Sequence, residues 1–277
     1  MSNAAKGGWE LPISERELSS LTRDMEDAHR ETLPTMRAAA VDLAEEIRTR
    51  GGNEGADDGR RRLLFGAGGA AAALVLAACS SGRSTTNAAP SPSASSASAS
   101  ASAKASSSSQ YTGDLQVVAL ATALENQAVG AYQAALDAAK AGKLGTVPPA
   151  VAGFITTAMA QHADHAKAWN AVLTGAGKPT ITGVPLSNQA SVTAALGRAT
   201  DVAAVAGLAL QLEDQAAQTY LFATYNVTSP AGIATAASIA PVEAMHAAIL
   251  NYILGQYPVP DDFLPVDKAA SPTLLTV

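Results

Sequence analysis

Residues 162–170 read HADHAKAWN, and residues 243–251 read EAMHAAILN. The two stretches share His, Ala and Asn at the same offsets, with His162 standing where the second has Glu243. A second pair aligns in the same way. Residues 124–132 read LENQAVGAY and residues 212–220 read LEDQAAQTY, with Leu, Glu, Gln, Ala and Tyr coinciding. The four stretches alternate along the chain, so the region reads as two tandem helical hairpins of one pattern. Residues i and i+3 lie on one face of a helix. His162 therefore points with His165, and Glu243 with His246. Glu125 and Glu213 each sit in a stripe of small and apolar residues, running from Val118 to Tyr132 and from Ala206 to Tyr220. A glutamate facing a core is costly unless it is paired or bound to a metal. Two glutamates and two histidine-bearing pairs turned toward one core can share that cost by coordinating cations. Three of the chain's four histidines fall in these aligned pairs.

Punctuation by Gly and Pro divides residues 113–256 into four helices, expected at roughly 113–141, 148–174, 199–225 and 231–255, with a short one at 190–196. The links within each hairpin are short, and the link between the second and third helices is long. That order predicts an all-α fold, an antiparallel four-helix bundle with one long crossover. The bulk composition agrees. The 277 residues are 48% hydrophobic but only 4% aromatic and 15% charged, as expected of closely packed Ala-rich helices. A net charge of −6 and the lack of a long basic run exclude a nucleic-acid partner. The single cysteine, Cys79, excludes a disulfide framework and a cysteine-based zinc site.

One Glu on each of two helices and Glu-x-x-His on the other two is the ligand pattern of di-iron and di-manganese carboxylate bundles. Residues 113–256 thus resemble a ferritin-like domain, of the small, exported actinobacterial kind. The resemblance implies a metal centre built from Glu125, His162, His165, Glu213, Glu243 and His246, with Tyr132 and Tyr220 packed around it. It implies two iron ions and ferroxidase chemistry with O2 or peroxide, a catalase-like manganese site being another outcome. Helix two departs from the pattern, giving His-x-x-His for Glu-x-x-His. With one carboxylate fewer, two cations are less well neutralised, and more nitrogen shifts preference toward Zn, Cu or Fe over Mg or Ca. A single-ion site, a non-catalytic carrier of metal and a bundle that has lost its metal stay open. The chain is expected to act as a monomer or dimer. Asp164 points away from the histidine pair. Gln161 lies one residue off the stripe and is expected to reach the site only through a water.

Outside that region, residues 60–79 (RRRLLFGAGGAAAALVLAAC) combine a basic flank, an apolar run too short to span a membrane and small residues before the cysteine. Arg61 and Arg62 before Leu63, Leu64 and Phe65 resemble a twin-arginine export signal. Leu76-Ala77-Ala78-Cys79 resembles a lipoprotein cleavage box, which implies lipidation at Cys79 and a location on the extracytoplasmic face of the membrane. The Ser/Ala/Pro repeats of 80–112 read as a disordered tether. Residues 1–59 show helical spacing at Leu18, Leu21, Met25, Leu33, Met36, Leu43 and Ile47, with Ser14 and Glu17 forming a capping box. This segment is expected as a cytoplasmic helical extension, split or kinked at Pro34, with His29 on its surface. The tail 257–277 has several prolines and carries no assignable role.

Overall fold

The computed structural model describes residues 10–50, 110–259 and 265–277. The segments expected as export signal (60–79, with Arg61, Arg62 and Cys79) and as most of the tether (80–109) lie outside the described residues. Among these there are six α-helices and no strand: α1 Glu15–Arg50, α2 Asp114–Lys140, α3 Pro149–Gly175, α4 Gln189–Arg198, α5 Val202–Asn226 and α6 Pro230–Ile253. The four long helices α2, α3, α5 and α6 fall within a few residues of the sequence expectation, and α4 is the expected short helix. α2 pairs with α3, α5 pairs with α6, and the long crossover at 176–201 carries the chain between the hairpins.

Local sequence explains where the helices begin and end. Pro149 and Pro230 occupy first-turn positions, where a missing N–H costs nothing. Ser229 and Asp201 accept hydrogen bonds from the amides of Gly232 (3.2 Å) and Ala204 (2.8 Å), satisfying otherwise orphaned donors. At the far end of α3 the chain turns through Gly177 at φ 69°, and the Lys178 amide reaches back to the Leu173 carbonyl at 2.8 Å. A left-handed residue at this point is what a glycine supplies. The crossover is tied down by two asparagines. Asn170 brackets Ile181 with both side-chain groups, and Asn126 donates to the carbonyls of Ile181 and Gly183. Residues 265–277 cover it from outside, with Lys268 and Ala270 bonded to Gln218 and Thr219 of α5.

The N-terminal segment differs most from expectation. It is one continuous helix through Pro34, not a split pair, and it packs along both α3 and α6 instead of standing apart. The Glu17 amide does bond Ser14 Oγ at 3.1 Å, half of the capping box. Leu18 and Met25 join the apolar cluster at one end of the bundle, and Met36, Ala40, Leu43 and Ala44 join the cluster at the other. α3 and α6 touch each other far less than each touches α1. α6 is consequently surrounded by helices, which accounts for its being apolar on every side. Polar ties run along the same seam: Glu15 to the Ala150 amide, Arg37 to Asp164 at 2.6 Å, and Glu46 to Ser229. His29, expected on the surface, is buried at 3% exposure because this face of α1 is turned inward.

Gly175 admits α1, and Gly232, which chiefly makes room for Val227 at 2.5 Å, also lies against it. A Cβ at Gly175 would stand 2.6 Å from the Ala44 Cβ, and one at Gly232 would stand 3.3 Å from Leu43 Cδ1. Overpacking of this kind costs about 1–3 kcal/mol. Gly175→Ala should therefore lower the urea midpoint of the full chain, and adding Ala44→Gly should restore part of the loss. An unchanged midpoint in Gly175→Ala would show that α1 does not press on α3 at this point.

Candidate metal centre

The six residues expected as ligands converge in the middle of the bundle. Glu125 comes from α2, His162 and His165 from α3, Glu213 from α5, and Glu243 and His246 from α6; each is 2% exposed or less. The i,i+3 spacing on α3 and α6 is what brings each pair to the inner face together. Their donor atoms form two overlapping groups. Glu125, His162, His165 and Glu243 offer ligand atoms all within 4.8 Å of one another, and so do His162, Glu213, Glu243 and His246. His162 and Glu243, the two residues that occupy equivalent places in the hairpin repeat, belong to both groups.

The contacts follow the repeat. His165 Nδ1 lies 2.9 Å from Glu243 Oε1 and 3.6 Å from Glu125 Oε1. His246 Nδ1 lies 3.2 Å from both Glu213 and Glu243. His162 lies between the two carboxylates of α2 and α5, with Nδ1 2.7 Å from Glu125 Oε2 and Nε2 3.0 Å from Glu213 Oε1. The tyrosines are exchanged between hairpins: Tyr132 of α2 donates to Glu213 of α5, and Tyr220 of α5 donates to Glu125 of α2. Trp169 Nε1–H donates to the Tyr220 hydroxyl at 2.9 Å and stacks on its ring. Asp164 does point away, onto Arg37 of α1.

Burial and charge act in opposite directions here. Burial pushes the His162 and His165 imidazoles toward neutrality, but the surrounding carboxylates outweigh it. His162 is held well above the usual histidine range, and His165 rises to about 9. His246 is raised by Glu213 against the same penalty. Burial would raise Glu125, yet His165 and His162 bring it down to about 2, and Glu213 is held well below the usual carboxylate range by His162 and His246. The facing carboxylates thus bias the three imidazoles toward their charged form. A metal ion entering the set must displace protons from the imidazoles, as metal ligation requires. Burial and the adjacent carboxylates raise both tyrosines well above their ordinary range, keeping them as donors.

The donor set fits a metal ion on a structural test. Glu243 Oε1 and both ring nitrogens of His165 are buried and make no hydrogen bond, although Glu243 Oε1 and His165 Nδ1 stand 2.9 Å apart. Buried polar atoms are nearly always hydrogen-bonded. An acceptor oxygen and an imidazole nitrogen left over at one point are what a cation with mixed oxygen and nitrogen preference would take up.

Two residues were misjudged from sequence. Gln161 touches the site directly: its Oε1 accepts from His246 Nε2 at 2.8 Å, and its Nε2 donates to Glu26 of α1 at 2.8 Å. His29 faces His165, with ring centroids 5.3 Å apart in an edge-on arrangement. Burial, and then the charge on His165, holds His29 down at about 4.

The family model for the ferritin-like domain matches residues 113–256, which is 144 of the 277 residues. No curated protein and no solved structure is significantly similar to the chain.

These shifts dictate a pH response. A histidine raised on folding contributes stability fully present below its unfolded pKa of ~6.5 and lost as pH rises through the folded value, which for His165 is about 9. Glu125 acts oppositely: its contribution is present above the ordinary carboxylate range and lost as pH falls through about 2. In chelator, the urea midpoint should fall between pH ~6.5 and ~9, and saturating Co(II) should flatten that fall. A midpoint that holds through this window in chelator would contradict the assigned imidazolium–carboxylate pairing.

Proposed function

Because the chain belongs to the ferritin-like domain family and buries a mixed carboxylate and imidazole set at the centre of its bundle, we propose that it is a metal-dependent redox protein with a two-ion, iron-binding centre. The observation that carries this reading is the pair of overlapping four-residue groups sharing His162 and Glu243. One group supplies two carboxylates and two imidazoles, and so does the other, with Glu243 placed to serve both. Iron held there supplies one-electron chemistry toward O2 or a peroxide. The chain's own residues do the rest. Tyr132 and Tyr220 orient Glu213 and Glu125 by hydrogen bonds, Trp169 holds Tyr220, and the enclosing helices keep water from the ligands. Outer partners of this kind tune both the geometry and the basicity of ligands. Manganese, zinc and copper share enough of iron's ligand preference to compete for the set.

A second reading, a single-ion carrier without turnover, is favoured by one observation. His162 already engages Glu125 and Glu213 with both ring nitrogens, so as an imidazolium it can hold the place of one cation. For location, the arginines and the cysteine of residues 60–79 support export and a lipid anchor at Cys79 on the extracytoplasmic face of the membrane.

Loading the full chain with Fe(II) without oxygen and counting iron per chain separates the readings. We expect two ions in the native protein and loss of both in a Glu243→Ala, His246→Ala double variant. On admitting air, near-ultraviolet absorption of ferric iron should rise rapidly in the native protein alone. One ion per chain with slow oxidation would replace the two-ion reading by the carrier. Equal iron in both proteins would overturn the assignment of the centre.

A further inference from the structure

α1 lies outside the residues that match the family, so the family assignment gives it no part in the metal centre. Yet its inward face passes directly behind two of the three histidines. The hydrogen bonds from Glu26 to the site have a defined direction. Glu26 is ionised, since hydrogen bonds from Gln161 and Arg30 outweigh its partial burial, and a carboxylate only accepts. Gln161 must then present its Nε2 amide to Glu26, which leaves its Oε1 to face His246 Nε2, each contact at 2.8 Å. A carbonyl oxygen also only accepts, so the proton of a neutral His246 is placed on Nε2. The nitrogen that faces Glu213 and Glu243 is then Nδ1 with its lone pair free. This is the tautomer a metal ion on the inner face needs.

A second observation on the same face of α1 concerns His165. Its Nδ1 faces the carboxylates, and its Nε2 is buried with no hydrogen-bond partner among the described residues. A metal ion on Nδ1 leaves the remaining proton on Nε2, and ligating histidines almost always donate that proton to an acceptor. The ring adjoining His165 from α1 is His29, one turn after Glu26, and its own Nε2 is likewise buried and without a partner.

We propose that α1 is the outer wall of the metal centre: Glu26, acting through Gln161, fixes His246 with Nδ1 free to ligate. Glu26 is a positioning residue, and the proposal rests on the metal-binding reading given above. It makes the centre a five-helix construction, with the sixth helix, α4, confined to the crossover.

The test uses the full chain and Co(II) alone, with affinity read by competition against a chromophoric chelator. Glu26 is partly exposed, so its substitution is tolerable to the fold. E26Q keeps an oxygen that can accept from Gln161 and should bind Co(II) as the native chain does. E26K offers only donors, which turns Gln161 around and moves the His246 proton to Nδ1. E26K should therefore lose about 10–100-fold in affinity. In chelator, at a pH high enough for the His246 ring to be neutral, long-range proton–nitrogen spectra should show its proton on Nε2 in E26Q and on Nδ1 in E26K. Urea midpoints in chelator separate this from a loss of packing. Equal affinity in the native chain and E26K would overturn the proposal while leaving the metal centre standing. So would equal losses in E26Q and E26K that track the urea midpoint. No binding of Co(II) by the native chain would remove the metal-binding reading and this proposal together.

Discussion

Everything in this structure depends on keeping three carboxylates and three imidazoles together in a dry core. Glu125, Glu213 and Glu243 are each 2% exposed or less, where an unpaired charge would cost more than a domain's whole margin of stability can absorb. Compensation is local. Each carboxylate faces at least one histidine nitrogen, and two of the three also accept a tyrosine hydroxyl. The surrounding helix faces can therefore be plain alanine. Small side chains let the helices approach closely enough for short Glu and His side chains to meet at the axis. That explains a chain nearly half apolar yet only 4% aromatic.

The same constraint explains the exchange between hairpins. A hairpin alone carries one Glu, one Tyr and one histidine-bearing pair, and its tyrosine points past its own glutamate to the other hairpin's. Each hairpin sets a histidine of its own against its buried carboxylate, but the tyrosine hydroxyl comes from the other hairpin. The long crossover must therefore deliver α5 alongside α2 in a fixed register, and the asparagine brackets on Ile181 set where that crossover lies. Replacing the usual Glu by His162 alters the balance of charge without altering the register. Imidazole at that point reaches Glu125 on one side and Glu213 on the other.

The centre was largely legible in sequence because its signal is periodic and repeated. Two aligned hairpins, with ligands at i and i+3, specify both the faces and the partners. α1 was legible as a helix but not as a neighbour. Its apolar positions announce an amphipathic face, and nothing local says what that face covers. His29 was misread because Glu26, Asp27, Arg30 and Glu31 surround it with charge. The spacing held the better clue: Thr22, His29, Met36 and Leu43 recur every seven residues, and all four are buried. Gln161 was misread for a different reason. One position off a helical stripe still lies within reach of a long amide, and its two ends face α6 and α1. Pro34 was expected to split or kink the helix, and it does not split it: α1 continues through, its ends held by packing at Leu18 and Leu43.

The shared core also constrains what export could do to this chain. α1 precedes Cys79 and the bundle follows it, and both sides contribute to the same apolar clusters. Cleavage ahead of Cys79 would separate α1 covalently from the bundle, leaving it bound only by its packing and its polar ties to α3 and α6. If α1 then departed, Gly175 and Gly232 would line an open groove, Gln161 would lose the carboxylate that orients it, and His165 would lose the ring behind it. Because α1 precedes Cys79 in the chain, the contacts of Glu26 and His29 at the centre are among those that such a cleavage would put at risk.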